Sequence, residues 1–187
     1  MQQTSSTGVT TTYAYDALRR QVGVFSESAG GTRSVASVTA YNHLGQVESV
    51  TDAADNVTLY LYDAATGRRI STLDPLGQAT HTAYDLPGRV IATWGATYPV
   101  AYEYDPHGRM TARYTLRDGA VETNFTDYAA LAAILSAFDK TAWHYDLATG
   151  LLTIKVYADG HGTAYTYTHD GQLVTRTWAR GIATEYA

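Results

Sequence analysis

At 187 residues and a formal net charge of −5, the chain is long enough for one or two domains, and its scattered basic residues argue against nucleic acid as the main partner. It has no cysteine, which rules out disulfides and thiolate metal sites, and no run approaches the ~18 apolar residues of a membrane-spanning helix. Sixteen tyrosines against three Phe and three Trp, with 16 glycines and more Asp than Glu, point to strands joined by tight turns, an all-β chain.

The opening MQQTSSTGVTTT is polar and lacks the apolar h-region of a signal peptide. Tyr13 and Tyr15, followed by Asp16, begin a phrase that then recurs. SESAGGTRS, residues 26–34, lengthens the first connection and is predicted as a mobile loop. Tyr41, Asn42 and Gly45 form the second copy, closed by TDAADN at 51–56. LYLYDAATGRRIST holds Tyr60, Tyr62, Asp63 and Gly67 and leads into the turn LDPLGQ. TAYDLPGRV brings Tyr84, Asp85 and Gly88, with RVIATW as the strand after it, and YEYDPHGRM brings Tyr102, Tyr104, Asp105 and Gly108. RDG, residues 117–119, reads as a further turn. Residues 119–142 are predicted as a helical insertion: in TDYAALAAILSAFDK, Tyr128, Leu131, Leu135 and Phe138 share one helical stripe, and Thr126 or Asp127 can cap it. This helix is expected to replace a missing repeat and to lie on the sheet. WHYDLATG supplies Trp143, Tyr145, Asp146 and Gly150, before the strand LLTIKVY and the turn ADGHG. YTYTHDG supplies Tyr165, Tyr167 and Gly171, ARG follows as a turn, and Tyr186 opens a truncated eighth copy.

From Tyr15 the second tyrosines follow one another at spacings of 26, 21, 22, 20, 41, 22 and 19 residues, a period of about 21 with one gap of nearly two periods. Repetition at such a period is the mark of a stacked array. Aromatics at i and i+2 share one face of a strand, the Asp caps a turn with its carboxylate, and the Gly takes the left-handed backbone the reversal needs. Each unit is therefore strand, turn, strand, turn, about 14 strands in all, of the usual length near six residues. One unit buries too little to offset the ordering of its backbone, so its tyrosines are expected to pile against those of neighbouring units in an aromatic row. The whole of 1–187 is read as a single array.

The phrase Tyr-Asp followed by Gly-Arg, in YLYDAATGRRISTLDPLGQAT, TAYDLPGRVIATW, YEYDPHGRM, WHYDLATGLLTIKVYADG and YTYTHDGQLVTRTWARG, resembles the YD repeat of the Rhs (rearrangement hotspot) family. That family includes bacterial polymorphic toxins, the cocoon-forming subunits of insecticidal toxin complexes, and animal teneurins. The resemblance implies a curved, spiralling β-sheet forming part of a shell that encloses a toxic polypeptide, with some members using it in adhesion. It also implies a secreted or cell-surface protein whose partners are further repeats of a parent chain and an encapsulated toxin domain. DPLG, Asp74 to Gly77, is similar to a piece of the family's self-cleaving core region, but it continues as QATHTAYD and is read as an ordinary turn.

No catalytic, cofactor or metal site is expected. The repeated Asp residues Asp16, Asp63, Asp85, Asp105 and Asp146 sit in equivalent places, which is what a turn demands. Asp52, Asp55 and Asn56 are the nearest to a calcium cluster, and His144 with His169 the nearest to a zinc pair, but neither matches a ligand spacing. Glu27, Glu48, Glu103, Glu122 and Glu185 occupy unrelated positions in the repeat, so paired carboxylates of a glycosidase are not indicated. Glu103 lies between Tyr102 and Tyr104, on the opposite face. The competing functional expectation is carbohydrate binding, with Trp94, Trp143 and Trp178 as stacking platforms. Open strand edges at both ends are expected to support self-association.

Overall fold

A computed structural model of the chain describes residues 2–5, 8–116, 125 and 127–186. The protein is all-β: among the described residues 16 antiparallel strands follow one another in the sheet in the order of the sequence, a linear rather than closed arrangement. The chain divides into two compact units, residues 1–81 and 82–187.

The first unit holds β1 (Gln2–Thr4), β2 (Thr10–Tyr15), β3 (Gln21–Glu27), β4 (Arg33–Tyr41), β5 (Val47–Asp52), β6 (Val57–Tyr62), β7 (Arg69–Leu73) and the first half of β8 (Ala79–Tyr84). Its strands are rich in Thr, Ser and Val, and every large side chain keeps some exposure. The span 26–34 is not the loop expected from its Gly and Ser content. Ser26 pairs with Ser34 and Glu27 with Arg33, so only residues 28–32 turn. The two serines also bond to each other through their hydroxyls at 2.8 Å, extending the hairpin to the tip.

The second unit holds β9 (Val90–Gly95), β10 (Val100–Tyr104), β11 (Met110–Thr115), β12 (Asp139–Tyr145), β13 (Leu152–Val156), β14 (Gly162–Tyr167), β15 (Leu173–Thr177) and β16 (Ala183–Glu185). It also contains the buried core. Ala92, Ala101 and Ala112 come from three neighbouring strands and are at most 1% exposed. Their small side chains let a helix approach the sheet. That helix, α1 (Tyr128–Ala132), puts Leu131 against the core at 0% exposure, with Trp94, Tyr114, Leu116 and Phe138 around it. Trp94 Nε1 donates to the carbonyl of Phe125 at 3.0 Å, and Asp127 caps α1 by accepting from Ala130 N at 2.9 Å. Thr126, the other cap considered, and the turn 117–119 lie outside the described residues.

Two expectations about this insertion are corrected. Its helical part is shorter than the apolar stripe suggested: α1 has five residues, a separate 3-10 turn covers Leu135–Ala137, and residues 139–142 already belong to β12. Nor does it replace a repeat. β11 and β12 pair directly, Ala112 opposite Ala142 and Thr115 opposite Asp139. The insertion thus lies between two directly paired strands. The long spacing between Tyr104 and Tyr145 falls in the connection between β11 and β12, and β10, β11 and β12 pair in succession as in the other copies. The strand count rises above the expected 14 because short strands, β1 and β16, are added at the two ends.

A register shift recurs at the second tyrosine of six phrases. Tyr15 faces Gln21, Tyr41 faces Val47, Tyr62 faces Arg69, Tyr104 faces Met110, Tyr145 faces Leu152 and Tyr167 faces Leu173. In each case the return strand carries one extra residue, a β-bulge that re-aims the groups beside it.

Candidate functional site

The recurrent feature is the turn that closes each Tyr-Asp phrase, and its fullest form is Asp105–Arg109. The backbone closes with Asp105 N–H donating to Arg109 O at 2.9 Å and Gly108 N–H to Asp105 O at 3.0 Å. The Asp105 carboxylate then accepts at both oxygens. Oδ1 takes the N–H groups of His107 and Arg109, each at 2.9 Å, and Oδ2 takes Arg109 Nε at 2.6 Å. So held, the Arg109 side chain lies flat and reaches the next repeat. Its guanidinium stands 4.5 Å over the Tyr145 ring, and Nη1 donates to the carbonyl of Gly150 at 3.0 Å. Tyr145 answers in the other direction, its hydroxyl donating to Met110 O at 2.9 Å.

The same parts recur along the array. Asp85 binds Arg89 Nε at 2.6 Å, and Arg89 covers Tyr104 at 4.7 Å and donates to Asp105 O at 3.2 Å. Asp16 binds Arg20 Nε at 2.7 Å, and Arg20 covers Tyr41 at 4.5 Å. The hydroxyls of Tyr41, Tyr62, Tyr104 and Tyr167 donate to the carbonyls of Gln21, Val47, Val90 and Leu152 respectively, each the residue that follows the preceding turn. Where Gln46 stands in place of Arg, its Nε2 makes the forward bond to Gly67 O at 2.8 Å. The turns DAATGR and DLATGL are one residue longer. There Thr66 and Thr149 add a hydroxyl bond to Asp63 and Asp146 at 2.6 and 2.8 Å.

This arrangement corrects the expected row of ring on ring. Equivalent tyrosines sit on alternate strands, about 9.6 Å apart by the ordinary strand spacing, beyond the 4.5–7 Å at which ring centroids interact. The intervening strand delivers a guanidinium into that gap. The rungs are therefore tyrosine, arginine, tyrosine, and they use cation–π contact and carbonyl bonds instead of ring stacking.

The glycines do two things in this ladder. Gly150 has φ of 75°, where a side chain is strained, and a Cβ built there would lie 3.1 Å from Arg109 Nη1. The place of the missing Cβ is taken by the neighbouring repeat's side chain. Gly45, Gly67, Gly108 and Gly171 face Arg20, Gln46, Arg89 and Leu151 in the same way. Gly-Arg thus recurs because each Arg needs a Gly in the following copy. In the first copy the left-handed position holds Arg19, with φ of 63°.

The electrostatics follow from the bonds. Burial works against ionisation of Asp105, yet the Arg109 backbone N–H and guanidinium together with His107 N–H hold its carboxyl below the ordinary value of 3.8. Asp85 is lowered against the same opposition, and Asp16 chiefly by the Arg20 N–H. Asp63 and Asp146 are lowered mainly by their threonines. Burial pushes the hydroxyls of Tyr104, Tyr145 and Tyr167 above their ordinary value of 10.0.

Other sequence candidates fall elsewhere. Trp94 is 5% exposed in the core, so it offers no face for a sugar. Trp143 is half-buried under Lys155, whose Nζ lies 5.4 Å from the ring, while Trp178 is 42% exposed. Glu103 does face away from Tyr102, but it is engaged: Tyr114, from the next strand, donates to it at 2.7 Å, and Lys140 lies 3.8 Å away. Asp52 caps its own turn by accepting from Ala54 N, Asn56 N and Asn56 Nδ2. Sequence reasoning missed the arginines Arg20, Arg89 and Arg109 as ladder members, although the dipeptide Gly-Arg was the available signal.

An RHS repeat family model matches residues 41–79. Among solved structures, a chain in the crystal structure of TcdB2-TccC3-Cdc42 superposes with a TM-score of 0.60 at 18% identity, over 95% of this chain and 12% of that one. The crystal structure of TcdB2-TccC3 gives 0.60 at 17%, over the same shares. The form of that complex without its hypervariable C-terminal region gives 0.57 at 18%, over 95% and 11%. No curated protein sequence matches the chain. The present chain therefore shares the fold of these structures while spanning about an eighth of their length.

Proposed function

We propose that this chain, a structural module carrying an RHS repeat, serves as one stretch of a non-catalytic wall that encloses or presents a toxin-like polypeptide. The observation that carries this reading is the ladder. Tyrosine hydroxyls tie Tyr41, Tyr62, Tyr104, Tyr145 and Tyr167 back to the preceding hairpin, and Gln46, Arg89 and Arg109 add a forward side-chain bond to the next, in addition to the strand pairing. Turns so tied leave proteases few loose segments to enter at that end of the hairpins within each unit. None of the repeated carboxylates is left free for chemistry, since each caps its turn. The repeats of 1–187 act together as one array, joined in the parent protein to further repeats.

The test is protease protection in the full-length parent protein, with Arg20, Arg89 and Arg109 native or all replaced by Met. The enclosed segment is expected to resist proteinase K in the native form and to be cut in the variant. Equal digestion of that segment in both would defeat the reading. A carbohydrate-binding adhesion module is the competing function, favoured by the exposed ring of Trp178. Glycan titration supports it only if binding is lost in Trp178→Ala.

A further inference from the structure

The turns at the opposite end of the hairpins share a pattern that two of them break. Where it holds, a capping Asp or Ser comes first. Asp52 Oδ1 accepts from Ala54 N at 2.7 Å and Asn56 N at 3.0 Å, and Asp74 Oδ1 from Leu76 N at 2.9 Å and Gln78 N at 2.8 Å. Ser28 Oγ accepts from Thr32 N at 3.3 Å. In the last two hairpins that place is taken by Tyr157 and Trp178. The backbone closes the same way, Tyr157 N–H to His161 O at 2.7 Å and Trp178 N–H to Ile182 O at 2.8 Å. An aromatic ring cannot accept from the turn's N–H groups, so each residue forgoes its cap. Each nonetheless keeps a large exposed face, Tyr157 at 37% and Trp178 at 42%. A local rule given up for part-exposed aromatic rings is where function is to be sought.

Both rings line one groove of about 460 Å3, together with Thr163, Ala179, Arg180 and Ile182. Thr163 is 1% exposed and is the one buried polar side chain among them. The walls are otherwise nearly all apolar. Cations back both rings: Lys155 Nζ lies 4.8 Å from the Tyr157 ring centre, and Arg176 Cζ 3.6 Å from that of Trp178. Arg176 Nε is buried and has no hydrogen-bond partner. Asp159, in the same turn as Tyr157, is occupied, accepting from His161 N at 2.9 Å and facing His161 Nδ1 at 3.5 Å. The groove is thus apolar inside, with Arg180 in its wall and Lys155 and Arg176 standing against its two rings, in a chain whose net charge is −5.

We infer that this groove docks a polypeptide segment that inserts an apolar side chain between Tyr157, Trp178 and Ile182 and sets carboxylates against the three cations. A saccharide fits less well, because its hydroxyls would find few polar partners on such walls. The inference is independent of the wall reading, since none of these residues takes part in the ladder.

The probe is an acetylated, amidated peptide with a central Phe flanked by Asp residues, titrated into the intact chain and followed by amide and indole NMR shifts. Saturable shifts are expected at the Trp178 indole N–H and at Ile182. Binding should weaken at least tenfold when the peptide's Phe is Ala or its Asp residues are Lys. Tyr157→Asp and Trp178→Asp restore the cap, so they should keep the thermal midpoint while weakening binding at least tenfold. The inference is overturned by an absence of saturable shifts, by shifts centred elsewhere, or by equal binding of the Lys peptide. It is likewise overturned if these variants bind as well as the native chain, or if an acidic oligosaccharide such as oligogalacturonate is preferred to the peptide. Any of these results leaves the wall reading standing.

Discussion

Replacing Arg109 by Met keeps the length of the side chain and removes the charge that the ladder uses. Two losses can be sized. The bond from Nη1 to Gly150 O, at 3.0 Å, is worth about 1 kcal/mol net. The guanidinium over Tyr145 at 4.5 Å is worth about 0.5–1 kcal/mol at a partly exposed site. The ion pair to Asp105 is reached by solvent and is given no share. The sum, about 1.5–2 kcal/mol, should lower the melting temperature by roughly 3–8 °C for a chain of this size. Differential scanning calorimetry measures it, with Arg113→Met, an exposed arginine on β11, as the control expected to stay within about 0.5 kcal/mol. A double-mutant cycle isolates the ring contact. Arg109→Met and Tyr145→Leu should couple by about 0.5–1 kcal/mol, because the cation has nothing to cover once the ring is gone. Additivity within about 0.3 kcal/mol, or a loss no larger than that of Arg113→Met, would refute the ladder as a source of stability.

The two roles of glycine separate by position: Gly160→Ala meets nothing within 4 Å and should cost only the strain of φ at 80°, about 1–2 kcal/mol, whereas Gly150→Ala should cost more by chemical denaturation. The excess should vanish in an Arg109→Ala background. Arg19→Gly should stabilise the chain by about 0.5–1 kcal/mol by relieving a left-handed arginine, and Asp55→Gly by less, since Asp tolerates that backbone better. Because the turn aspartates have folded values below 3.8, the stability they confer is complete above the unfolded value and is lost as pH falls through the folded ones, so urea midpoints should drop below about pH 4. The raised tyrosines act in the opposite sense, their share being complete below 10.0 and lost as pH climbs past it, so midpoints should also drop above about pH 10 and less so in Tyr104→Phe. The outer edges of β1 and β16, the first and last strands of the sheet order, are proposed to pair between copies, so light scattering should show a mass that rises with concentration, and a fixed monomer mass would count against edge association.

The hairpins were legible because strand and turn chemistry are local. Two tyrosines at i and i+2, then Asp and Gly, declare their own backbone. The partner of each tyrosine was not legible, because a contact between repeats depends on strand spacing, which no single copy encodes. Gly-Arg was visible as a recurrence, but the Arg serves the copy after its own and the Gly the copy before. The bulge at each second tyrosine escaped for a related reason: it is a property of two paired strands, visible only in their register. The insertion misled by its apolar stripe. Leu131 and Phe138 are both buried, as the stripe implied, yet they belong to a short helix and to the chain leading into β12, joined by a 3-10 turn.

The two ends of the hairpins are under different constraints. At the Tyr-Asp end every described turn has five or six residues, and the three turns that set Arg20, Arg89 and Arg109 over a tyrosine of the next copy all have five. At the other end the turns show no such recurring Tyr–Arg coupling among the described residues. There the chain carries the irregular connection through Gly95 and Pro99, the long insertion between β11 and β12, and the uncapped aromatic turns at Tyr157 and Trp178. Variation is tolerated where register does not depend on it, and connections so freed are where binding surfaces can be added to a rigid frame. The ladder therefore accounts for more than stability. By fixing one end of every hairpin it leaves the other free to differ from repeat to repeat, and any recognition by this chain should reside there.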